Sequence, residues 1–164
     1  MKKQKGFSLI ELLIVVAIIL IIAAIAIPNL MRARIAANES SGASQLRTLN
    51  TAEVSYSTAY SAVGYGTQAH LGGAATPCVP GSATACLIDN SLATNYNNTG
   101  HSGYSFQVTL TANNGNYDAS AAPLVVGTSG VNSFCSIEDG VVRKDVSGAA
   151  DTAHDTCLGF PSLQ

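Results

Sequence analysis

The stretch FSLIELLIVVAIILIIAAIAI, residues 7–27, contains 21 residues of which only Ser8 and Glu11 are not apolar. As a helix rising about 1.5 Å per residue, it matches a hydrocarbon core about 30 Å thick. Lys2, Lys3 and Lys5 precede it, and no cation follows until Arg32. The positive-inside rule then places the N-terminus in the cytoplasm and everything after the span on the far side of the membrane.

Outside this stretch the chain is polar without being charged. Of 164 residues only 11% are Asp, Glu, Lys or Arg, against a usual figure of about 25%. A net charge of −2 is too small to keep the chain disordered by self-repulsion. Without the three leading lysines, five basic residues face ten acidic ones, a balance that repels phosphate and excludes nucleic-acid binding. No G-x-x-x-x-G-K-[ST], G-x-S-x-G or H-E-x-x-H occurs, so nothing in the sequence points to nucleotide hydrolysis or to these forms of catalysis.

Glu11 decides how the apolar stretch is read. A secretory signal ending near Ala24-Ile25-Ala26, or a plain anchor, accounts for the hydrophobicity but not for a carboxylate inside it. An acid at the centre of a membrane helix costs about 2.5–3.5 kcal/mol, less toward the edge. Glu11 therefore needs a partner, and the segment itself offers none. Gly6-Phe7-Ser8-Leu9-Ile10-Glu11-Leu12, behind a basic leader, resembles the cleavage and methylation motif of type IV prepilins and pseudopilins.

The resemblance runs on through Ala23-Ala24-Ile25-Ala26-Ile27-Pro28 and covers about residues 1–60. It implies cleavage between Gly6 and Phe7 by a prepilin peptidase, methylation of the new amine on Phe7, and removal of the leader, residues 1–6. Glu11, the fifth residue after the cut, would neutralise the Phe7 amine of a neighbouring copy as both enter an apolar filament core, where an unpaired charge is costly. The implied partners are further copies of the chain in a helical filament, the peptidase, and an inner-membrane assembly platform with a separate ATPase. The resemblance further implies that the inner membrane holds the subunit before assembly, and the cell surface after it. No small-molecule substrate, cofactor or catalytic residue is implied. Pro28 disturbs the helix near Ala24. In the family the helix is often melted between a glycine and this proline. Leu20 stands at the glycine position here, which leaves the extent of melting open.

Residues 7–28 form the membrane or filament-core part of one long helix, and residues 29–60 its amphipathic continuation. Ala43, Leu46, Leu49, Ala52, Tyr56 and Tyr60 recur at three- and four-residue steps as one stripe. Arg32, Arg34, Glu39, Arg47 and Glu53 are assigned mostly to other faces. Gly42 is the one strong breaker in this span, and two separate helices meeting there are the alternative. The remainder, residues 61–164, is a head. Residues 61–102, rich in Gly and Pro, read as an irregular connection with a short helical turn near Leu87–Ala93.

Residues 103–145 read as an antiparallel sheet. Tyr104, Phe106, Val108 and Leu110 alternate with Ser105, Gln107 and Thr109, the pattern of a half-buried strand. A turn signal follows at Asn114-Gly115, then a weaker strand over Asn116–Ala121 and a short apolar run at Leu124–Val126. Asn132–Ile137 and Val141–Lys144 flank a second turn signal, Asp139-Gly140. Residues 146–164 form a C-terminal loop. A long helix followed only by strands gives an α+β fold, in agreement with the pilin fold that the N-terminus implies.

Four cysteines in an exported chain point to disulfides. Three connectivities are open, and Cys78–Cys86 with Cys135–Cys157 is favoured because each closes a nearby loop. No C-x₂-C spacing supports zinc. His70, His101 and His154 read as isolated surface residues. Asp145, Asp151 and Asp155 read as a solvated acidic tail; in related pseudopilins the terminal loops hold calcium. Tyr56, Tyr60, Tyr65, Tyr96 and Tyr104 read as packing and loop residues rather than a conduction path. The two rival readings are a type II secretion pseudopilin, which shares this N-terminus, and a membrane-anchored exported enzyme or binding module.

Overall fold

The computed structural model describes residues 7–73, 77–94, 100–150 and 154–163. A single helix, α1, runs Leu9–Ala59, and the chain divides after Arg34 into two compact units. In the first unit every large apolar side chain from Phe7 to Met31 lies exposed. A helix apolar on all sides has no face to turn toward its own domain. Pro28 sits inside α1. Its ring withholds one N–H, so the carbonyl of Ala24 loses its helical partner, yet the helix continues through it. The disruption expected at Pro28 thus does not amount to a break in the single chain. The backbone between Leu20 and Pro28 is helical throughout.

The second unit begins at Ile35. Here α1 buries Gly42, Ala43, Leu46, Leu49, Asn50, Ala52, Glu53 and Tyr56. Two of these are polar, and one of them, Glu53, is the acid that the charge pattern had assigned to an outer face. Short helices follow at Gln68–Leu71 (α2) and Asn90–Ala93 (α3), within the connection read as irregular. The sheet comprises β1 Tyr104–Leu110, β2 Tyr117–Pro123, β3 Ser133–Ile137 and β4 Arg143–Asp145, in that spatial order and antiparallel throughout. The last helix, α4, spans His154–Leu158.

Alternation sorts the sheet into two faces. Tyr104, Phe106 and Val108 of β1, Tyr117, Ala119 and Ala121 of β2, and Phe134 of β3 join the helix stripe in one core. β2 is alanine-rich and weak by propensity, but as an inner strand it is buried along its whole length. The opposite face carries Cys135 and Ile137, which pack with Cys157 of α4 and with Phe160. The chain's tail closes the β4 edge: Lys144 N–H donates to Pro161 at 2.9 Å and Leu163 N–H to Val142 at 2.8 Å.

Gly42 is no breaker. A Cβ built there would stand 3.1 Å from the Tyr104 ring, so the glycine is the gap that admits this ring to the helix. Gly130 lies against the other end of the same tyrosine, whose hydroxyl donates to the Asn132 carbonyl at 2.7 Å.

Both disulfides close as favoured, Cys78–Cys86 across 8 residues and Cys135–Cys157 across 22, and no cysteine is free. The second fixes α4 to the sheet. Replacing Cys135 and Cys157 together by serine should lower stability by about 3 kcal/mol in the chain-entropy account. Thermal unfolding followed by circular dichroism reads this as a lower midpoint; an unchanged one would show that packing alone holds α4.

Candidate functional site

The first turn of α1 holds Glu11, the one acid of the apolar segment. Ser8 immediately precedes the helix, and its backbone N–H donates to Glu11 Oε2 at 2.9 Å. Ser8-x-x-Glu11 has the spacing of a capping box, in which the third helical residue reaches back to the cap N–H. The segment therefore does offer Glu11 a partner, contrary to the expectation from sequence. The bond engages one carboxylate oxygen. Phe7, beside it, is 85% exposed. Gly6 lies outside the described residues.

Glu39, on the first helical turns of the second unit, anchors the loop between β2 and β3. Its Oε1 accepts from Val131 N–H at 2.9 Å and from Asn132 N–H at 3.1 Å. Burial acts to raise its pKa, but these donors outweigh it and hold the carboxyl below its ordinary value. Asn38 Nδ2 adds a bond to the Ser129 carbonyl at 2.8 Å.

Glu53 is fully buried. Gly66 N–H donates to its Oε2 at 3.0 Å, while Oε1 meets no hydrogen-bond partner among the described residues. Burial pushes this carboxyl up to about 7, against the smaller opposing effect of the Gly66 donor. The periodicity held the signal that was missed. Leu46, Leu49, Glu53 and Tyr56 keep the three- and four-residue steps of the buried stripe. Asn50, on the same face, donates to Ser136 Oγ at 2.7 Å and accepts from the Tyr117 hydroxyl at 3.1 Å.

The histidines are not isolated. His154 Nε2 lies 2.9 and 3.0 Å from the two Glu138 oxygens. That hydrogen-bonded carboxylate holds the imidazole above its ordinary value. His70 closes a capping box with Thr67 and stacks on Tyr56 with ring centroids 6.2 Å apart. His101 Nδ1 lies 2.5 Å from Gln45 Nε2. Among the acids read as a tail, Asp145 accepts from Ser147 N–H at 2.9 Å, Asp155 lies beside His154, and Asp151 falls outside the described residues. Tyr56 and Tyr60 pack at 4.9 Å, and Tyr65 packs on Tyr117 at 4.8 Å; Tyr96 also falls outside. Among the described residues no group of three or more His, Cys, Asp or Glu is placed to hold a metal ion.

The exposed apolar part of α1 with its capped acid, Glu11, is the candidate site. Residues 1–27 match the family model described as the prokaryotic N-terminal methylation motif. The N-terminal segment is similar to those of type IV pilins. Over 40 residues, 24% of this chain, it is 62% identical to the type IV wide pilus major component PilA4 of Thermus thermophilus, covering 30% of that protein. Over 54 residues, 33% of the chain, it is 48% identical to the type IV major pilin protein PilA of Myxococcus xanthus, covering 24% of that one. The chain thus matches less than a third of the length of either relative. No solved structure matches it.

Proposed function

We propose that the chain is the structural subunit of a type IV pilus and acts through assembly rather than as an enzyme. The observation that carries this reading is a helical segment, ending at Ile27, that is apolar on every side and exposed, with one acid in its first turn and a methylation motif spanning that turn. The precursor waits in the inner membrane with its N-terminus in the cytoplasm. A prepilin peptidase cuts between Gly6 and Phe7 and methylates the Phe7 amine, which stays cationic. An assembly platform, driven by a separate ATPase, then draws the helix into the filament.

Moving the helix from lipid to filament gains little from the hydrophobic effect, because acyl chains are as apolar as leucine. Close packing and charge pairing must supply the cohesion. Glu11 of one copy pairs with the Phe7 amine of the next, and contacts of this heterologous kind that do not close on themselves build an open helix.

The test is the N-terminal mass of the chain recovered from membranes and from sheared surface material. A chain beginning at N-methylated Phe7 is expected, and Gly6→Phe should accumulate uncut precursor. A chain beginning at Met1 in both fractions would reduce the segment to an anchor. One beginning near Ile27 would make it an ordinary secretory signal.

A further inference from the structure

The loop joining β2 to β3 presents apolar side chains to solvent although the structure spends many bonds fixing its shape. Val125 and Val126 are 57% and 56% exposed, and Val131 and Val146 are exposed beside them. Gly148 faces both Val126 and the Val131 carbonyl, with a built Cβ 3.0 Å from one and 2.8 Å from the other, and Ser133 pairs with Asp145, so the Val126, Val131 and Val146 segments meet at one end of the sheet. Within the turn, Ser129 N–H donates to the Val125 carbonyl at 2.9 Å and Gly127 N–H to the Gly130 carbonyl at 2.7 Å. Asn38 and Glu39 clamp it to α1 from outside. The valines are therefore held out by a turn already ordered, which lowers the entropy cost of any contact they make.

A second feature of the same unit has a complementary form. Between α1 and the β3–β4 turn lies a groove of about 390 Å³, lined by Arg47, Asn50, Thr51, Val54, Ser55 and Gly140. Val54 is 52% exposed there. Its uncharged polar side chains are already satisfied. Asn50 is bonded to Ser136, Gly140 and Tyr117, Thr51 donates to the Arg47 carbonyl at 3.0 Å, and Ser55 donates to the Thr51 carbonyl at 2.8 Å. Covering the groove with apolar side chains strands none of these groups. Arg47, at its rim, makes no ion pair among the described residues. Asp145 adjoins Val146 at the border of the valine patch, bonded to Ser133 and Ser147, and likewise has no ion-pair partner among the described residues.

We infer that the Val125–Val126 turn of one copy seats in the Arg47–Val54 groove of the next, with Asp145 of the first copy facing Arg47 of the second. The inference rests on the pilus reading above. The occupant is a second copy for two reasons: the charges at the two rims are opposite, and the area is small. Even the largest apolar patch of a typical monomer, about 300–600 Å², falls short of the roughly 800 Å² per partner of a stable soluble pair. It suffices between copies whose helices already hold them together, where effective concentration is high. Turn and groove are different surfaces, so the contact repeats without closing, as a filament requires.

The test uses the full-length chain in filament-forming cells. Val126→Asp should lower the yield of sheared filaments about tenfold, as loss of a central interface residue does. Arg47→Asp and Asp145→Arg should each lower it, and the two together should restore it. The melting temperature of each detergent-solubilised variant is measured to separate assembly from folding. For variants that do not fold, the doubly substituted Val54→Cys, Val126→Cys chain replaces them: oxidised filaments should run as a ladder of linked subunits. Wild-type yield from Val126→Asp, or filaments of the cysteine pair without a ladder, would overturn the contact. Absence of filaments from the unaltered chain would overturn the pilus reading and this contact with it.

Discussion

Glu11→Ala is expected to leave the protein at its normal level in the membrane while the yield of sheared filaments falls at least about a hundredfold. Removing one partner of a buried pair costs about 3–5 kcal/mol because the other charge stays buried alone, and each 1.4 kcal/mol is about tenfold. The charge left alone here is the Phe7 amine. Alanine also removes the acceptor of the Ser8 N–H, and a lost cap is worth about 1 kcal/mol in its own right. Glu11→Gln separates the two effects, since glutamine can still accept from Ser8 but carries no charge. Pairing predicts that both variants fail to assemble, whereas a purely capping role predicts that Glu11→Gln assembles as well as the parent. Filaments at full yield from both would remove Glu11 from assembly altogether.

The second large effect concerns Glu53. Its carboxyl is held near 7 in the folded chain against a reference value of 4.5, so folding takes up a proton between these limits. The stabilisation this gives is complete below about pH 4.5, declines as pH rises, and is gone above about 7, a span worth about 3 kcal/mol at 1.4 kcal/mol per unit. His154, raised by Glu138, adds a change of the same sign that begins at its ordinary value and ends higher. Glu39 and Asp139 act in the opposite direction. Val131 and Asn132 hold Glu39 below its usual value, and Arg143 does the same for Asp139, so their contributions vanish only in more acidic solution. The melting temperature of the detergent-solubilised protein should therefore fall between pH 4.5 and pH 7. Glu53→Gln should flatten most of that slope, and His154→Gln only its upper part. A slope unchanged by Glu53→Gln would mean that the buried carboxyl is solvated in a way its surroundings do not suggest.

What sequence reading could reach was set by how long a pattern persists. The strand Tyr104–Leu110 appears with the limits that its alternation gives, because seven residues show a period of two clearly. The helix stripe likewise held from Ala43 to Tyr56. Glu53 is not legible as a core residue because its charge argues against the place its spacing gives it in that stripe, and the structure follows the spacing. α2 and α4 are not legible for a different reason. Helices of four or five residues complete barely one turn and leave no periodicity; only the Thr67 cap marked the first. Leu124–Val126 is apolar yet forms no strand, because its valines point outward from a turn. Gly42 shows the limit most plainly. It reads as a breaker along the chain, and only Tyr104, 62 positions away, explains why a side chain cannot stand there.

The bond between Ser8 and Glu11 bears on how freely a subunit can come and go. A carboxylate with no partner in the bilayer would be driven irreversibly toward any amine it met, and a filament built that way would be a trap. Here the acid already has a donor within its own chain, held by one of its two oxygens. On the pilus reading proposed above, joining the filament would add the next copy's amine at the second oxygen rather than rescue a wholly unsatisfied charge. A return to lipid would then give up that one interaction and leave the acid still capped.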